Sequence, residues 1–473
     1  MIILVAILAY FVLLFIVSRT TGRKATNETF FRANRRSPWY MVAFGMVGAS
    51  ISGITFVSVP GMVVHSQMTY LQTCMGFIFG YILVAFVLLP LFYRLNLTSI
   101  YTYLNKRLGY RSYKTGAWFF LLSKMTGAAV RFYVVCIILQ HFVFQPLDIP
   151  FIVTVLLLVF LIWLYTRRGG IKTLVWTDSL QTVFLFTSLL LILWQVAGDL
   201  HLSFSDAVKT IHHHELSRVF VWDDWQSTQL FWKQFFSGIF IVIVMTGIDQ
   251  DMMQKNLTCK TLRGAQKDMC SYGIAFLPAN LLFLSLGVLL VLWYQQQGID
   301  LPVMSDDILP LYVEHSSIFL SLVFVLGIVA ASFSSADSAL TSLTTIYCVD
   351  ICERSNDETL RRRTHLMMCL VFILIILLFR AVNSTSLIDA IYIIVSYTYG
   401  PLLGMFTYGL LTHRPVNDTY IPYFAVASPL LCYALDWSIS STTGYHFGYE
   451  LLMLNGLLTF LGLWISSRFI VHN

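Results

Sequence analysis

Long apolar runs alternate with short polar segments along the whole chain. A helix that crosses a bilayer needs about 20 mostly apolar residues. About thirteen runs fit that measure: 2–18, 39–63, 69–93, 115–142, 149–166, 174–197, 231–253, 269–294, 316–347, 364–382, 387–412, 420–436 and 448–468. Numbered helix 1 to helix 13, they predict an all-α polytopic membrane protein. Composition agrees. The 473 residues are 57% hydrophobic and 11% charged, with a mean hydropathy of +0.74, whereas soluble chains run at about 45–50% apolar and about 25% charged.

The net charge is +6, but where the charges sit says more. Cytoplasmic loops carry the excess of Lys and Arg. The loop after helix 1 holds Arg19, Arg23, Lys24, Arg32, Arg35 and Arg36, and that after helix 7 holds Lys255, Lys260, Arg263 and Lys267. With the loops after helices 3, 5 and 9, Arg414 and Arg468, one side takes 24 of the 30 basic residues and the other side four. This alternation predicts an N-terminus outside and a C-terminus in the cytoplasm, with no further domain after Asn473. No basic segment precedes the run from Ile2 to Val17, so helix 1 reads as a span rather than a cleavable signal. Compact loops suggest a bacterial inner membrane.

The eight cysteines form neither a disulfide framework nor a zinc-type cluster. His212-His213-His214, in the longest outer segment (198–230), reads as solvated loop rather than a metal site. Asp300, Asp306, Asp307 and Glu314, with Pro302 and Pro310, predict a short cap helix before helix 9. No nucleic-acid partner, no obligate protein partner and no organic cofactor is expected; the partners are the lipid bilayer and a small solute.

Two spans carry chemistry. Helix 2 reads Gly48-Ala49-Ser50-Ile51-Ser52-Gly53-Ile54-Thr55, then Pro60-Gly61. Small residues and hydroxyls at membrane depth either mark close helix packing or an unwound stretch whose carbonyls bind ions. Helix 9 places Ser334, Asp337, Ser338 and Thr341 on one face. Serines can bond back to their own helix, but an intramembrane carboxylate marks a functional site unless it is paired. Asp178, Asp249, Asp251, Lys124 and Arg131 also fall at membrane depth. As ion pairs, Asp178 would meet Lys172, and Lys124 or Arg131 would meet Asp337.

Three motifs carry a resemblance: Gly169-Gly170 followed by Thr177-Asp178-x-x-Gln181, Leu97 to Leu104 before Arg107-Leu108-Gly109, and Gln250 to Leu257 before Lys260. Together with Phe30 to Ala33 and Pro60-Gly61, they make the chain from about residue 28 to about 412 similar to the sodium:solute symporter family. The resemblance implies a leucine-transporter-like fold with inverted five-helix repeats. The segments would be 1–38 (helix 1 and a cytoplasmic loop), 39–197 (first repeat), 198–230 (outer loop), 231–413 (second repeat) and 414–473 (helices 12 and 13). It implies a coupling sodium ion (Na+) held by Gly48, Ile51, Ala331, Ser334 and Ser335. A further sodium site would use Asp178, Asp337 and Ser338, where Asp337 departs from the family's usual Ser or Thr. That carboxylate would strengthen the site, bind a proton or form a salt bridge.

The family's sugar-binding pair reads Ile54-Thr55 here and its gate pair reads Met245-Thr246, so sugar specificity is not expected. Ser50, Ser52, Thr55, Gln72 and Thr246 are the polar candidates for solute binding, and Lys124 and Arg131 point to an anionic solute. The expected function is sodium-coupled symport. The alternatives are a sodium sensor, proton-coupled uptake through Asp337 and Asp178, a channel, and an intramembrane enzyme using Asp249 and Asp251 with Asp223-Asp224.

Overall fold

The computed structural model describes residues 2–22, 26–382, 387–445 and 447–468. Arg23, Lys24 and the C-terminal residues 469–473 lie outside the described residues. Helix occupies each of the thirteen apolar segments. In chain order these are α1 (Ile2–Thr21), α2 in two pieces (Trp39–Ser50 and Gly53–Ser66), α3 (Tyr70–Arg94), α4 (Tyr110–Leu147), α5 (Phe151–Gly169) and α6 (Ile171–Asp199). Then come α7 in two pieces (Phe231–Gly247 and Gln250–Asn256), α8 (Leu262–Gln297), α9 (Ile318–Ile351) and α10 (Glu358–Val382). The chain closes with α11 (Leu387–Thr398, then Gly400–Leu411), α12 (Ile421–Thr443) and α13 (Leu451–Arg468). By length and apolarity alone, eight helices among the described residues can cross a membrane, or ten when the bent α2 and α7 each count as one span. The expected count of thirteen spans is thus not reached by composition, although each apolar run holds helix.

The break in α2 falls inside the small-residue stretch. Ile51 (φ −82°, ψ 87°) and Ser52 (φ −79°, ψ 173°) leave helical conformation, and the two pieces meet at 59°. Carbonyls of the last turn before such a break lose their next-turn donors. Glycine flanks the break because neighbours press on the backbone. A Cβ on Gly48 would lie 2.0 Å from Thr182 Oγ1 of α6, and one on Gly53 would lie 2.1 Å from Ser332 Oγ of α9.

The break in α7 is sharper, at 69°. A π-turn over Ile243–Gly247 loosens the first piece, and Asp249 turns extended (φ −98°, ψ 119°). Its Oδ1 accepts the N–H groups of Asp251 (2.8 Å) and Met252 (3.3 Å), capping the second piece. Helices in lipid gain little from apolar burial against one another, so close contact of small residues matters more. Gly76 of α3 and Gly238 of α7 show it: a Cβ on either would lie 2.1 Å or 2.3 Å from a carbonyl oxygen of the other helix.

The outer segment holds a short helix, Phe204–His213, where His213 Nδ1 lies 2.8 Å from the Lys209 carbonyl. The acidic segment before α9 does form a short helix, Ile308–Glu314. At the start of α4 the cap comes from far along the chain. Asp418 accepts N–H bonds from Arg111 (2.6 Å) and Ser112 (2.8 Å), beside Gly109 at φ +128°. Asp418→Ala should lower stability by about 1–2 kcal/mol, and Asp418→Asn by less. Thermal unfolding in detergent reads both.

Candidate cation and solute sites at the helix breaks

The α2 break faces α6 and α9. Ser335 Oγ donates to the Ala49 carbonyl at 2.9 Å and lies 3.3 Å from the Ala331 carbonyl, so one hydroxyl spans α2 and α9. Ser334 Oγ donates to Asp178 Oδ1 at 2.8 Å. Gly48, Ile51, Ala331, Ser334 and Ser335 are therefore brought together, in a region shielded from solvent. On α9, Ser332 Oγ, Ser338 Oγ, Thr341 Oγ1 and Asp337 Oδ1 are buried without a hydrogen bond. Such oxygens suit a hard cation.

The ion pairs differ from those expected. Asp178 does not meet Lys172; its Oδ2 lies 2.8 Å from Lys255 Nζ. Lys255 was expected in a loop, because α7 was taken to end at residue 253. The polar piece after the break carries it back into the bundle, 1% exposed. Lys124 does not meet Asp337 either. It lies 3.0 Å from Asp249 and 2.8 Å from Asp251, which α7's break turns toward α4. Tyr399 Oη donates to Asp249 at 2.6 Å. Asp337 instead accepts the Tyr165 hydroxyl at 2.5 Å.

A cavity opens between the two breaks. Ser50, Ser52, Ile54 and Thr55 line it from α2, and Met245, Thr246 and Met252 from α7. Arg131 of α4 enters it, and Tyr70, Phe77 and Phe276 add aromatic walls. Tyr272 hydrogen-bonds Ser50, and Tyr81 Oη donates to Tyr272 Oη at 2.7 Å. Arg131 forms no ion pair among the described residues.

Two of the expected solute residues lie outside this cavity. Lys124 is held by its two aspartates. Gln72, in the first turn of α3, accepts from Val221 N (3.2 Å) and donates to the Gln229 carbonyl (2.9 Å), fastening the outer loop. Lys255, Tyr165, Tyr81 and Tyr272 were not foreseen. Lys255 lies within the Gln250–Leu257 motif, which was a usable signal; the tyrosines blend into apolar runs.

Two broken helices facing each other across a mid-bundle cavity define a secondary transporter. The sodium:solute symporter family model matches residues 30–418, and the chain belongs to that family. It is 27% identical over 412 residues to the sodium/sialic acid symporter NanT of Aliivibrio fischeri, covering 83% of this chain and 79% of that protein. To the sodium/sialic acid symporter SiaT of Proteus mirabilis it is 24% identical over 415 residues, covering 83% and 81%. To the human sodium/iodide cotransporter it is 26% identical over 253 residues, covering 53% and 38%. The fold superposes on a solved Na+-coupled sialic acid symporter in a substrate-bound, outward-open state, with a TM-score of 0.85 and 20% identity over 100% of this chain and 98% of that one. It also matches Mhp1, a nucleobase-cation-symport-1 transporter, with a TM-score of 0.57 at 15% identity, over 95% of this chain and 96% of that one. The protein is thus a sodium-coupled symporter with the leucine-transporter-like architecture, not an enzyme.

Removing one partner of a buried ion pair strands the other charge, at a cost of about 3–5 kcal/mol. Lys255→Met should lower stability by that order, and adding Asp178→Asn should recover much of it. Thermal unfolding of the three variants beside wild type measures the recovery; its absence would show that the pair is not the source of the loss.

Proposed function

We propose that this symporter carries a small organic anion, recognised through a carboxylate, together with sodium. The observation that carries this reading is Arg131, a guanidinium with no ion pair among the described residues, in a cavity otherwise lined by hydroxyls and by aromatic, aliphatic and methionine side chains. A guanidinium offers a carboxylate two parallel hydrogen bonds, and Ser52, Thr55 and Thr246 stand at the same cavity to donate to the remaining oxygens. The relatives' names fit the same chemistry. Sialic acid and the substrates of sodium-coupled monocarboxylate transporter 2 are carboxylates, and iodide is an anion.

The coupling sodium in this reading sits at the α2 break, on the carbonyls of Gly48, Ile51 and Ala331 and the hydroxyls of Ser334 and Ser335. Ser335 already reaches across from α9 to α2, so an ion placed there would tie the two helices while residues 50–55 shape the cavity. No organic cofactor takes part. Residues 39–197 and 231–413 form the two inverted repeats, each opening with a broken helix. The protein lies in a bacterial inner membrane, N-terminus outside and C-terminus inside.

A ligand that binds only the folded state stabilises it by about 2.7 kcal/mol at a hundred times its dissociation constant. Sodium, but neither potassium nor choline, should raise the unfolding temperature, and Ser334→Ala with Ser335→Ala should remove most of that rise. For the solute, uptake into proteoliposomes under a sodium gradient should be seen with sialic acid or a short monocarboxylate, and not with glucose. Arg131→Met should raise KM about tenfold or more, with Arg131→Lys in between. Glucose uptake, or an Arg131→Met variant with unchanged KM, would count against an anionic solute.

A further inference from the structure

The segment between α6 and α7 closes with aromatic residues that neither the cavity nor the α2 break uses. Phe220 and Trp222 stack, with ring centroids 5.7 Å apart. Trp222 then meets Phe231 at 4.2 Å and Trp232 at 6.1 Å, so the segment folds onto the first turn of α7. Trp232 in turn stacks on Phe236 at 5.9 Å. These rings are not core. Trp225 is 73% exposed and Trp222 52%, and Phe220, Trp232 and Phe236 are exposed as well.

A contiguous exposed apolar patch marks an interaction surface, and its surroundings say what it meets. Phe235, on the same turn of α7, packs against Phe79 of α3 at 5.3 Å. Phe79, Ile82, Leu83 and Phe86 make one exposed face of α3, a helix long and apolar enough to span the membrane. That face lies against lipid, and the aromatic patch continues it toward the end of the span. Phe236 stands five residues inside α7 from Phe231, about 7.5 Å along the axis. Rings spread over that depth match the boundary between headgroups and acyl chains, where amphipathic elements bury their apolar side about 5–10 Å. Tryptophan favours this layer because its ring is apolar while its N–H stays wet. The two carboxylates between Trp222 and Trp225 do not oppose such a position. Asp223 pairs with Arg218 at 3.0 Å, and Asp224 accepts the N–H groups of Gln226 and Ser227 at 3.0 and 3.1 Å.

We infer that residues 220–236 form a foot docked in the headgroup layer of the leaflet where α7 begins, with phospholipid as its partner. The end of the connecting segment is then a membrane contact rather than a solvated loop. The foot also holds the cavity wall. Val221 N–H donates to Gln72 Oε1 at 3.2 Å, and Thr69 Oγ1 donates to Gln229 Oε1 at 2.7 Å. Thr69 and Gln72 flank Tyr70, which lines the cavity. Lipid that grips the foot therefore steadies the first turn of α3 at the cavity's edge.

Photolabelling of the full chain in vesicles tests this. The vesicles contain phosphatidylethanolamine and phosphatidylglycerol, with a fraction of phospholipid carrying a diazirine next to its glycerol backbone. Mass spectrometry then locates the carbene adducts, and hydroxyl-radical oxidation of a parallel sample locates rings that water reaches. Lipid adducts should fall on the peptides that hold Trp222, Trp225 and Trp232, as they do on the peptide that holds Phe79. Adducts there support the foot whether or not the same rings are also oxidised. Trp222→Ser combined with Trp225→Ser should lose the adducts between residues 219 and 230 and keep those at Phe79, which also shows that the variant is folded in the membrane. Oxidation of Trp222 and Trp225 without adducts would make the segment a water-facing loop and overturn the proposal. Neither mark on either ring would mean that protein covers them, and would overturn it too. Adducts between 219 and 230 that persist in the double variant would show that the rings are not the contact.

Discussion

Lys255 and Asp178 meet at 2.8 Å in a place almost wholly shielded from solvent. Taking two charges out of water costs several kcal/mol for each ion, and the attraction between them repays that only in good geometry. Such a pair contributes less to stability than to arrangement, because any packing that separates the partners strands a charge. Here it fixes the second piece of α7 beside α6. Lys124 does the same from the other side, drawing Asp249 and Asp251 toward α4. The short piece after the α7 break is therefore held between Lys124 on one side and Asp178 on the other. Its Met252 lines the cavity, and its Gln254 donates to Thr345 Oγ1 of α9 at 3.1 Å.

The α2 break joins the α9 hydroxyls and the cavity through very few residues. Ala49 gives its carbonyl to Ser335 on the α9 side, while Ser50 next to it bonds Tyr272 on the cavity side. Ile51 and Ser52 make the turn between them. A change in backbone conformation on one side therefore reaches the other within one or two peptide units. This closeness gives a physical route for coupling without a long chain of contacts.

Much of this was legible in the sequence. Each of the thirteen apolar runs holds helix, because the bilayer's thickness sets a length that apolar runs reveal directly. Glycines and serines at 48–53 marked the α2 break; the hydroxyl stripe from Ser334 to Thr341 marked the face of α9 that meets Asp178 and Tyr165, while Ser335 beside it reaches the break. What stayed hidden has physical causes. The second piece of α7, Gln250–Asn256, is polar, so hydropathy assigned Lys255 to a loop; only the capped turn at Asp249 brings it back inside. Gln72 resembled a solute ligand because its partners, Val221 and Gln229, lie in a loop about 150 residues away. Lys124 had several carboxylates within plausible reach, and spacing along the chain could not choose among them. Tyr165 closes the apolar run of α5, so nothing in the sequence singles out its hydroxyl as the partner of Asp337.

The crossing of α3 and α7 at Gly76 and Gly238 has a mechanical side. Where two helices touch through carbonyls and Cα atoms, no flexible side chain lies between them to absorb a shift. The hydrogen bond from Thr73 to Gln234 pins the same crossing. Sliding one helix past the other would drive backbone into backbone, so α3 and the first piece of α7 have to travel as a single lever. That lever ends at the non-helical turn at Ile248 and Asp249, which lies in the chain between the cavity-lining Thr246 and Met252.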